Sequence, residues 1–167
     1  MNLQNLIINY ADYNLWANQQ FENWLSKKPI EQLNREVPSS FSSIVKTLNH
    51  IWATEEYWFS IITIKTDFEN RFGIQDFKTD EIFKGLINRS TLLANAIKSF
   101  TEVELIEKIK VVSPWFKSNQ PRYEYLQHLI NHGTYHRGQI VTIARNIGIT
   151  DAPMTDYNSF NVMKDNK

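Results

Sequence analysis

The chain has 167 residues, which is enough for one domain with a full hydrophobic core. Its 18 basic and 18 acidic side chains balance, so the charge supports neither nucleic acid nor an anionic membrane as a partner. The absence of cysteine excludes disulfides and thiolate ligands and limits any metal to nitrogen and oxygen ligands. Neither a signal peptide nor an apolar run of membrane-spanning length is visible, so a soluble cytoplasmic protein is expected.

The first predicted helix runs from about Asn2 to Leu25 and carries an apolar stripe at helical spacing. Asn14 falls in the middle of this stripe. It is therefore expected to face away from solvent, either as a buried hydrogen-bonded residue or as part of a polar pocket. A connector over residues 29–41 follows, with one helical turn near residues 30–33.

A second helix is predicted from about Ser43 to Ile64. His50 shares one face of this helix with Tyr57, which lies two turns further along. A single histidine on such a face is more often a hydrogen-bonded core residue than a metal ligand. Glu55 and Glu56 lie beyond this face, and we expect them to be solvated or salt-bridged, with a supporting role at a site as the alternative.

A polar loop is predicted over residues 65–78, and a third helix begins at Thr79 or Asp80. The buried stripe of that helix extends to Phe100. The long connection over residues 101–118 contains several β-branched residues. These permit a short extended segment, but they do not predict a sheet.

The last predicted helix runs from Asn119 to Gly148, where glycine suits the residue just past a helix end. Residues 149–167 show no helical period. We therefore expect a single domain over residues 1–160 and a disordered tail over residues 161–167. Four long amphipathic helices without convincing strands predict an all-α four-helix bundle, and the long connections permit more than one topology.

Three histidines line the core-facing side of the last helix: His128, His132 and His136, each four residues from the next. An inward-pointing imidazole is costly unless its nitrogens are satisfied, either by hydrogen bonds or by a metal ion. Neighbouring histidines are one turn apart and can chelate one ion. His128 and His136 lie about 12 Å apart along the axis, so only one of the two neighbouring pairs can bind. The spacing does not decide which pair.

Four segments carry a resemblance to a known family. The run LINHGTYHRGQI, from Leu129 to Ile140, resembles the last long helix of the DinB/YfiT-like family of metal-binding helical bundles. Leu48 to Trp58 is similar to the family's second helix, and Tyr13 to Asn18 is similar to its first. Thr155 to Tyr157 is also family-like. The segments occur in the family's order, and this family is distinct from the DNA polymerase that shares the name.

The resemblance implies that a divalent metal ion, zinc or nickel, is held by His50, His132 and His136. It also implies an up-down-down-up bundle with the metal near one end. Residues expected to line the pocket or to support the ligands are His128, Asn14, Tyr10, Tyr57, Trp58 and Gln139. His128 is expected to hydrogen-bond a ligand histidine or a carboxylate such as Asp156.

Arg137 points away from the histidine face on a helical wheel, which predicts an interhelical or interface salt bridge. Gly133 and Gly138 each cost about 1 kcal/mol relative to Ala inside a helix, and they indicate close packing.

The opposite side of the last helix also carries apolar residues, so a second cover is expected from another helix, the 101–118 connection or a partner chain. Members of the resembled family are often dimers, and a homodimer is therefore predicted. The residues on this side are Tyr123, Ile130, Val141 and Ala144, with Leu126 between the two faces.

Three neutral imidazoles would leave a divalent ion with its full charge and with open positions. The resemblance implies enzymes in which the metal activates a low-molecular-weight thiol such as bacillithiol, mycothiol or glutathione. We therefore expect a metal-dependent thiol S-transferase in detoxification or stress response, acting on a small molecule. The alternatives are a metal-dependent hydrolase and a non-catalytic metal- or ligand-binding interaction module.

Overall fold

The computed structural model describes residues 2–64 and 78–165, and most of these residues are helical. The polar loop predicted from residue 65 lies outside the described residues, apart from Lys78. In chain order the elements are α1 (Leu3–Leu25), α2 (Ile30–Asn34), α3 (Ile44–Thr63), α4 (Thr79–Ser99), α5 (Glu102–Ile106), β1 (Lys108–Val112), β2 (Lys117–Pro121), α6 (Arg122–Asn146) and α7 (Tyr157–Asp165). The four long helices α1, α3, α4 and α6 confirm the predicted all-α bundle.

Residues that are readable in the sequence set several helix ends. The side chain of Asn2 accepts the amide hydrogen of Asn5 at the start of α1, and that of Ser43 accepts the amide hydrogen of Lys46 at the start of α3. Gly148 has a φ of +89° just past α6, a conformation that favours glycine. These local signals explain why the predicted starts of α1 and α3 and the predicted end of α6 are close to the observed ones.

Helices α1 and α4 are antiparallel neighbours. Lys98 near the end of α4 forms a 2.8 Å ion pair with Asp12 in the first half of α1. Further along α1, the Asn18 amide donates to the Ser90 hydroxyl at 2.9 Å, near the middle of α4. Advancing along α1 therefore means moving back along α4.

Helices α3 and α4 are parallel neighbours in close contact. Gly85 lies against the Trp52 ring, and an added Cβ would lie 2.1 Å from a carbon of that ring. One turn further along both helices, Ser90 donates to the Glu55 carboxylate at 2.7 Å. A glycine is required at residue 85 because the indole occupies the space of a side chain.

Helices α3 and α6 are antiparallel neighbours. His50 meets His132, whereas Trp58, eight residues later on α3, stacks on Tyr125, seven residues earlier on α6. With α1 and α4 antiparallel and α3 and α4 parallel, the four long helices run up-down-down-up. This is the arrangement that the family resemblance implied.

The interior is divided into two apolar clusters with a polar layer between them. One cluster contains Ile97 and Leu129, and the other contains Leu48 and Ile140. Side chains of the polar layer come from the middle of each long helix, where the two clusters meet. Its fully interior members are Asn14, Asn18, Glu55, Ser90 and Arg137. No described helix has the length and the apolar character needed to cross a membrane.

The 101–118 connection and the start of the last helix differ from the prediction. Strand β1 pairs antiparallel with β2, from Lys108 opposite Pro121 to Val112 opposite Lys117. Residues 119–121 therefore belong to a strand, and α6 begins at Arg122 rather than near Asn119. The prediction missed this hairpin because both strands are short, because β2 is polar, and because their pairing is a non-local interaction.

The tail after α6 also differs from the prediction. Tyr157–Asp165 form the helix α7, so the expectation of a disordered, non-helical tail is wrong up to Asp165. Phe160 anchors this helix with ring centroids 5.9 Å from Tyr13 and 5.5 Å from Trp16. A helix of nine residues with one buried side chain leaves no detectable apolar period in the sequence. A helix this short is not stable by itself, so it depends on packing against the surface of α1.

Coverage within the chain accounts for part of the apolar outer side of α6. Ile130 and Ala144 are both 0% exposed, and each packs in one of the two core clusters. Tyr123 and Val141 are half-buried. The chain itself therefore covers this face of α6 fully or in part. This coverage removes most of the argument for a partner chain on this face, and the homodimer stays a prediction.

Candidate metal centre

Helices α3 and α6 bring three of the four histidines of the chain together. One nitrogen from each of His50, His132 and His136 can be chosen so that all three lie within 4.8 Å of one another. The Nε2 atoms of His50 and His132 are 2.9 Å apart, and the His136 ring centroid is 4.4 Å from each of the other two. These are the three residues to which the resemblance pointed.

The nitrogen atoms of this group suit a divalent ion. Nitrogen ligands at about 2.0–2.1 Å from a tetrahedral ion are separated by about 3.3 Å. The Nε2 atoms of His50 and His132 are 2.9 Å apart, and all three nitrogens lie within 4.8 Å of one another. Among the described residues, no fourth histidine or carboxylate joins the group. An ion held by these three imidazoles would retain positions for water or a substrate atom.

Gln139 orients one of the three imidazoles. His136 donates its Nδ1 hydrogen to Gln139 Oε1, at 2.7 Å, one turn further along α6. This hydrogen bond leaves Nε2 without a proton and directed at the group. Hydrogen bonds of this kind to the second ring nitrogen determine the tautomer of metal-binding histidines.

The imidazoles are in the form that binds metals. Burial lowers the pKa of His50 to about 4, with further contributions from His136 and His132. Burial likewise lowers the pKa of His132 to about 4, helped by His136 and His128. Burial also lowers the pKa of His136, although the bond with Gln139 opposes this shift. All three rings are therefore neutral at pH 7.

Two neighbours of the histidines were not identified from the sequence as parts of the site. The Phe41 ring stacks on His50 at 4.2 Å and meets His136 edge-on at 5.5 Å. The Thr54 hydroxyl lies 3.5 Å from Nε2 of His132. Phe41 belongs to an irregular connector, where no periodicity relates a residue to a helix face, whereas the position of Thr54 on the His50 face was readable.

His128, Trp58 and Tyr57 lie beside the group rather than within it. The exposed His128 ring is 5.9 Å from His132 and meets Trp58 edge-on at 4.8 Å. Tyr57 meets Trp58 edge-on at 5.3 Å. The contacts of His128 are thus with rings, and the Asp156 carboxylate predicted as its partner lines a different cavity.

Tyr10 lies on another side of α6, away from the three histidines. It lines a cavity of about 370 Å³ together with Asn131, Arg137, Asp156 and Tyr157. Its ring meets Tyr157 edge-on at 5.1 Å. Burial, followed by Tyr13 and Tyr157, raises the pKa of the Tyr10 hydroxyl. The prediction that Tyr10 lines the metal pocket therefore has no described contact in its favour.

Asn14 is fully buried in a hydrogen-bonded network, which is the first of the two predicted alternatives. Its Nδ2 donates to Glu55 Oε1 at 2.7 Å, and its Oδ1 accepts from Arg137 Nη1 at 3.2 Å. Asn18 bonds to the same two partners at 2.8 Å and 2.9 Å. We call Asn14, Asn18, Glu55, Ser90 and Arg137 the amide network.

Two expectations about charged residues are corrected by this network. Arg137 is 2% exposed and donates to two amide oxygens and to Thr134, and it forms no salt bridge with any residue that the structure describes. Glu55 is 2% exposed and not solvated; burial raises the pKa of its carboxyl, whereas hydrogen bonds from Ser90 and the asparagines and the charge of Arg137 act in the opposite direction. Glu56 does form the expected ion pair, at 2.6 Å from Arg89.

Gly133 makes room for the arginine. An added Cβ would lie 3.1 Å from Arg137 Nη1 and 3.4 Å from Asn14 Oδ1. The predicted close packing is therefore confirmed at Gly133. It is wrong at Gly138, where nothing lies within 4 Å of an added Cβ.

Comparisons with known proteins agree with this arrangement. The model of the DinB family matches residues 1–167. The protein DinB of Bacillus subtilis strain 168 is 30% identical over 152 residues, covering 87% of this chain and 88% of that protein. The uncharacterized protein YizA of the same strain is 26% identical over 146 residues, covering 86% and 89%.

Proposed function

The chain belongs to the DinB family, and we propose that it is a metal-dependent enzyme that transfers a low-molecular-weight thiol to a small electrophile. The observation that carries the proposal is the convergence of three neutral imidazole nitrogens within 4.8 Å without a fourth described ligand. A structural ion would more typically be closed by a fourth protein side chain. Zinc and nickel both suit imidazole ligands.

The residues of the chain would divide the work as follows. His50, His132 and His136 hold the ion, and Gln139 keeps His136 in the required tautomer. Phe41 covers one side of the group with its ring. When bound, a divalent ion supplies positive charge that lowers the pKa of a thiol or water toward neutrality.

In the proposed reaction the thiol gives its proton to solvent, and its sulfur forms a bond to an electrophilic carbon. The bond from that carbon to a halide or to an epoxide oxygen breaks at the same time, and the halide or the oxygen takes the electron pair. Such a reaction would serve detoxification or a stress response. Low-molecular-weight thiols are kept reduced in the cytoplasm, where we expect this protein to act.

The test uses protein prepared without a histidine tag, because a tag would itself carry metal. The protein is stripped with a chelator and then restored with zinc or nickel. It is incubated with bacillithiol, mycothiol or glutathione and a panel of halide and epoxide electrophiles. We expect conjugates by mass spectrometry only when metal is restored, and none with His132→Ala. Lys84→Ala is a suitable control because its side chain is 80% exposed on α4.

Other outcomes would replace the proposal. Metal-dependent cleavage of esters or amides without conjugation would identify a hydrolase. Tight metal binding without turnover of any substrate would indicate a non-catalytic binding module. If the parent protein takes up no metal, the proposal is wrong.

A further inference from the structure

The cavity of about 370 Å³ that Tyr10 lines lies on the side of α6 away from the histidine group. Its α6 wall consists of residues three or four positions apart, which share one face of the helix: Asn131, Thr134, Gly138 and Val141. At 100° per residue, this face is about half a turn from His132. The cavity is thus separate from the candidate metal centre, and its use does not depend on the proposed function.

Long-range hydrogen bonds hold the opposite wall of the cavity in place. The Tyr13 hydroxyl on α1 donates to the carbonyl of Thr155 at 3.0 Å, and Asn9 donates from Nδ2 to the Tyr157 hydroxyl at 2.9 Å. Tyr13 and Tyr157 also meet edge-on, with ring centroids 5.1 Å apart. The segment that leads into α7 is therefore fastened to α1. The cavity is enclosed by α1, α6 and this segment rather than being a groove on one helix.

Arg137 is the most deeply buried polar residue in the lining of this cavity, and its donors are not all used. Nη1 donates to the oxygens of Asn14 and Asn18, and Nη2 donates to Thr134. Burial lowers the pKa of Arg137 and the nearby Tyr13 opposes this shift, but Nε is buried and has no hydrogen-bond partner. Two of the five guanidinium N–H groups therefore lack an acceptor among the described residues. Unbonded buried donors are costly, so they indicate an acceptor from outside the chain.

The positive charge of Arg137 also lacks a direct counterion among the residues that the structure describes. The Glu55 carboxylate accepts hydrogen bonds from the two asparagines and from Ser90 rather than from the guanidinium. Arg122 is similarly buried, but all three of its guanidinium nitrogens donate to oxygens of the chain, and one of them pairs with Glu107. A buried cation is costly unless it is paired. An anionic ligand would supply both the missing acceptor and the missing charge.

The remaining polar groups of the cavity limit the kind of anion. Burial raises the pKa of the Tyr10 hydroxyl, which therefore keeps its proton at pH 7. This hydroxyl makes no hydrogen bond with a described residue, so it is available to donate to an anion. Asp156 is exposed and is the one acidic side chain in the described lining, where it would repel a second negative charge on the ligand. The three tyrosine rings of the lining offer apolar surface to a carbon chain.

We infer that this cavity binds a small monocarboxylate, whose oxygens accept hydrogen bonds from Nε of Arg137 and from the hydroxyl of Tyr10. A carboxylate matches a guanidinium in geometry and charge, and charge-assisted hydrogen bonds of this kind are stronger than neutral ones. The tyrosine rings pack against the carbon chain of the ligand, and Asp156 disfavours a dicarboxylate. A volume of about 370 Å³ is at the lower end of the range for ligand cavities, which suits a small molecule.

The experiment uses the full chain, stripped of metal by a chelator that is then removed, because a carboxylate would otherwise bind an ion at the histidines. The probes are 4-methylpentanoate and 4-methylpentanamide, which have nearly the same shape and differ in charge. Ligand-observed NMR titrations give both dissociation constants. We expect the acid to bind about tenfold more tightly than the amide. His132→Ala should keep this ratio because the histidines are on the other side of α6.

Arg137→Lys is the most informative variant. A lysine has three N–H donors, and the chain already supplies three acceptors in Asn14, Asn18 and Thr134, so no donor remains for the ligand. We expect the acid to lose about tenfold in affinity, so that the acid and the amide bind almost equally. Circular dichroism checks that this variant is folded.

Tyr10→Phe is a second variant, which preserves the ring and removes only the hydroxyl. It should weaken binding of the acid by about fivefold. Tyr135→Phe is the matched control, because Tyr135 is 64% exposed on α6 outside this cavity, and it should bind both probes like the parent.

Three results would overturn the inference: no saturable binding of the acid by the parent, equal binding of the acid and the amide, or a parent-like ratio in folded Arg137→Lys. The first result would mean that water alone satisfies the guanidinium. If Arg137→Lys does not fold, Tyr10→Phe decides, and parent-like affinity for the acid in that variant would place the probe elsewhere. All measurements are made without metal, so a failure of the proposed function leaves them unaffected.

Discussion

Two polar clusters, one buried and one half-buried, begin at adjacent residues of α6, and their chemistry is opposite. Arg137 points into the amide network, where its guanidinium meets amide oxygens and each amide nitrogen meets the Glu55 carboxylate. His136 points into the histidine group, where three rings of the same kind converge. Donors face acceptors in the first cluster, whereas like atoms face one another in the second.

This difference teaches that burial alone does not separate a structural polar residue from a functional one. A cluster in which donors and acceptors complement each other is stabilised by its own hydrogen bonds. A cluster of neutral imidazole nitrogens gains most from a cation. The type of partner that each group meets is therefore the informative observation, and four experiments can test or refine it.

The largest expected effect is on metal binding by the histidine group. His132→Ala and His136→Ala should each reduce metal content from about one ion per chain to almost none, since losing a ligand costs more than the roughly 10–100-fold of a supporting residue. His128→Ala should retain the metal because its contacts are with other rings. The measurement is metal analysis of tag-free protein. Parent-like binding by both ligand variants would show that the site is wrongly assigned.

The amide network should instead affect stability. Arg137→Ala leaves two buried amide oxygens without their donor and removes the positive charge near the buried Glu55 carboxylate. It should lower the free energy of unfolding by about 3–5 kcal/mol. Asn14→Ala should cost about 1–3 kcal/mol for the same reason on a smaller scale. Urea unfolding gives both values, with the exposed Lys84→Ala as a control expected within about 0.5 kcal/mol. A loss below about 1 kcal/mol for Arg137→Ala would mean that the network does not stabilise the fold.

Gln139 tests whether the histidine group needs a supporting hydrogen bond. Gln139→Ala removes the acceptor of the His136 Nδ1 hydrogen and should weaken metal binding by about 10–100-fold without unfolding the protein. Gln139→Glu keeps an acceptor at this position and should preserve the affinity. Competition with a chromophoric chelator measures both variants. Equal affinities for the parent and the alanine variant would exclude Gln139 from the site.

The last expected effect is a pH dependence of the metal-free protein, which is moderated because both histidines are only half-buried. The pKa values of His50 and His132 are lowered to about 4, whereas an unfolded histidine titrates near its ordinary value of about 6.5. The unfolded chain therefore binds more protons between these values, and stability should fall as the pH decreases from about 6.5 to 4. Urea midpoints at pH 7 and pH 5, with chelator present, should differ more in the parent than in His132→Ala. A similar difference in both proteins would contradict this origin.

The candidate site was only partly readable from the sequence. The spacing of the histidines on α6 and their inward direction follow from helical geometry, so a chelating pair was evident. The third candidate ligand, His50, lies 82 residues from His132, and the family resemblance pointed to it. Phe41 lies in the connector before α3 and had no local signal that related it to the histidines.

Charged residues illustrate a different limit. A helical wheel gives the direction of Cβ, but Arg137 has a long side chain that reaches α1 past Gly133. Glu55 was expected to be solvated or salt-bridged because it lies beyond the His50 face of its helix. Its partners Asn14, Asn18 and Ser90 are on two other helices, so no local pattern pointed to them. Direction from the helix axis does not predict the end point of a long side chain.

The sequence by itself determined the four long helices, most of their ends and the inward-facing row of histidines on the last helix, because caps and periodicity act between residues a few positions apart. Tertiary structure alone decided which buried polar residues became a network, where the hairpin and α7 lie, and which rings border the histidines. Those outcomes depend on partners distant in the chain, such as Asn14 and Arg137 at a separation of 123 residues. Their meeting is determined by the packing of whole helices rather than by any local preference.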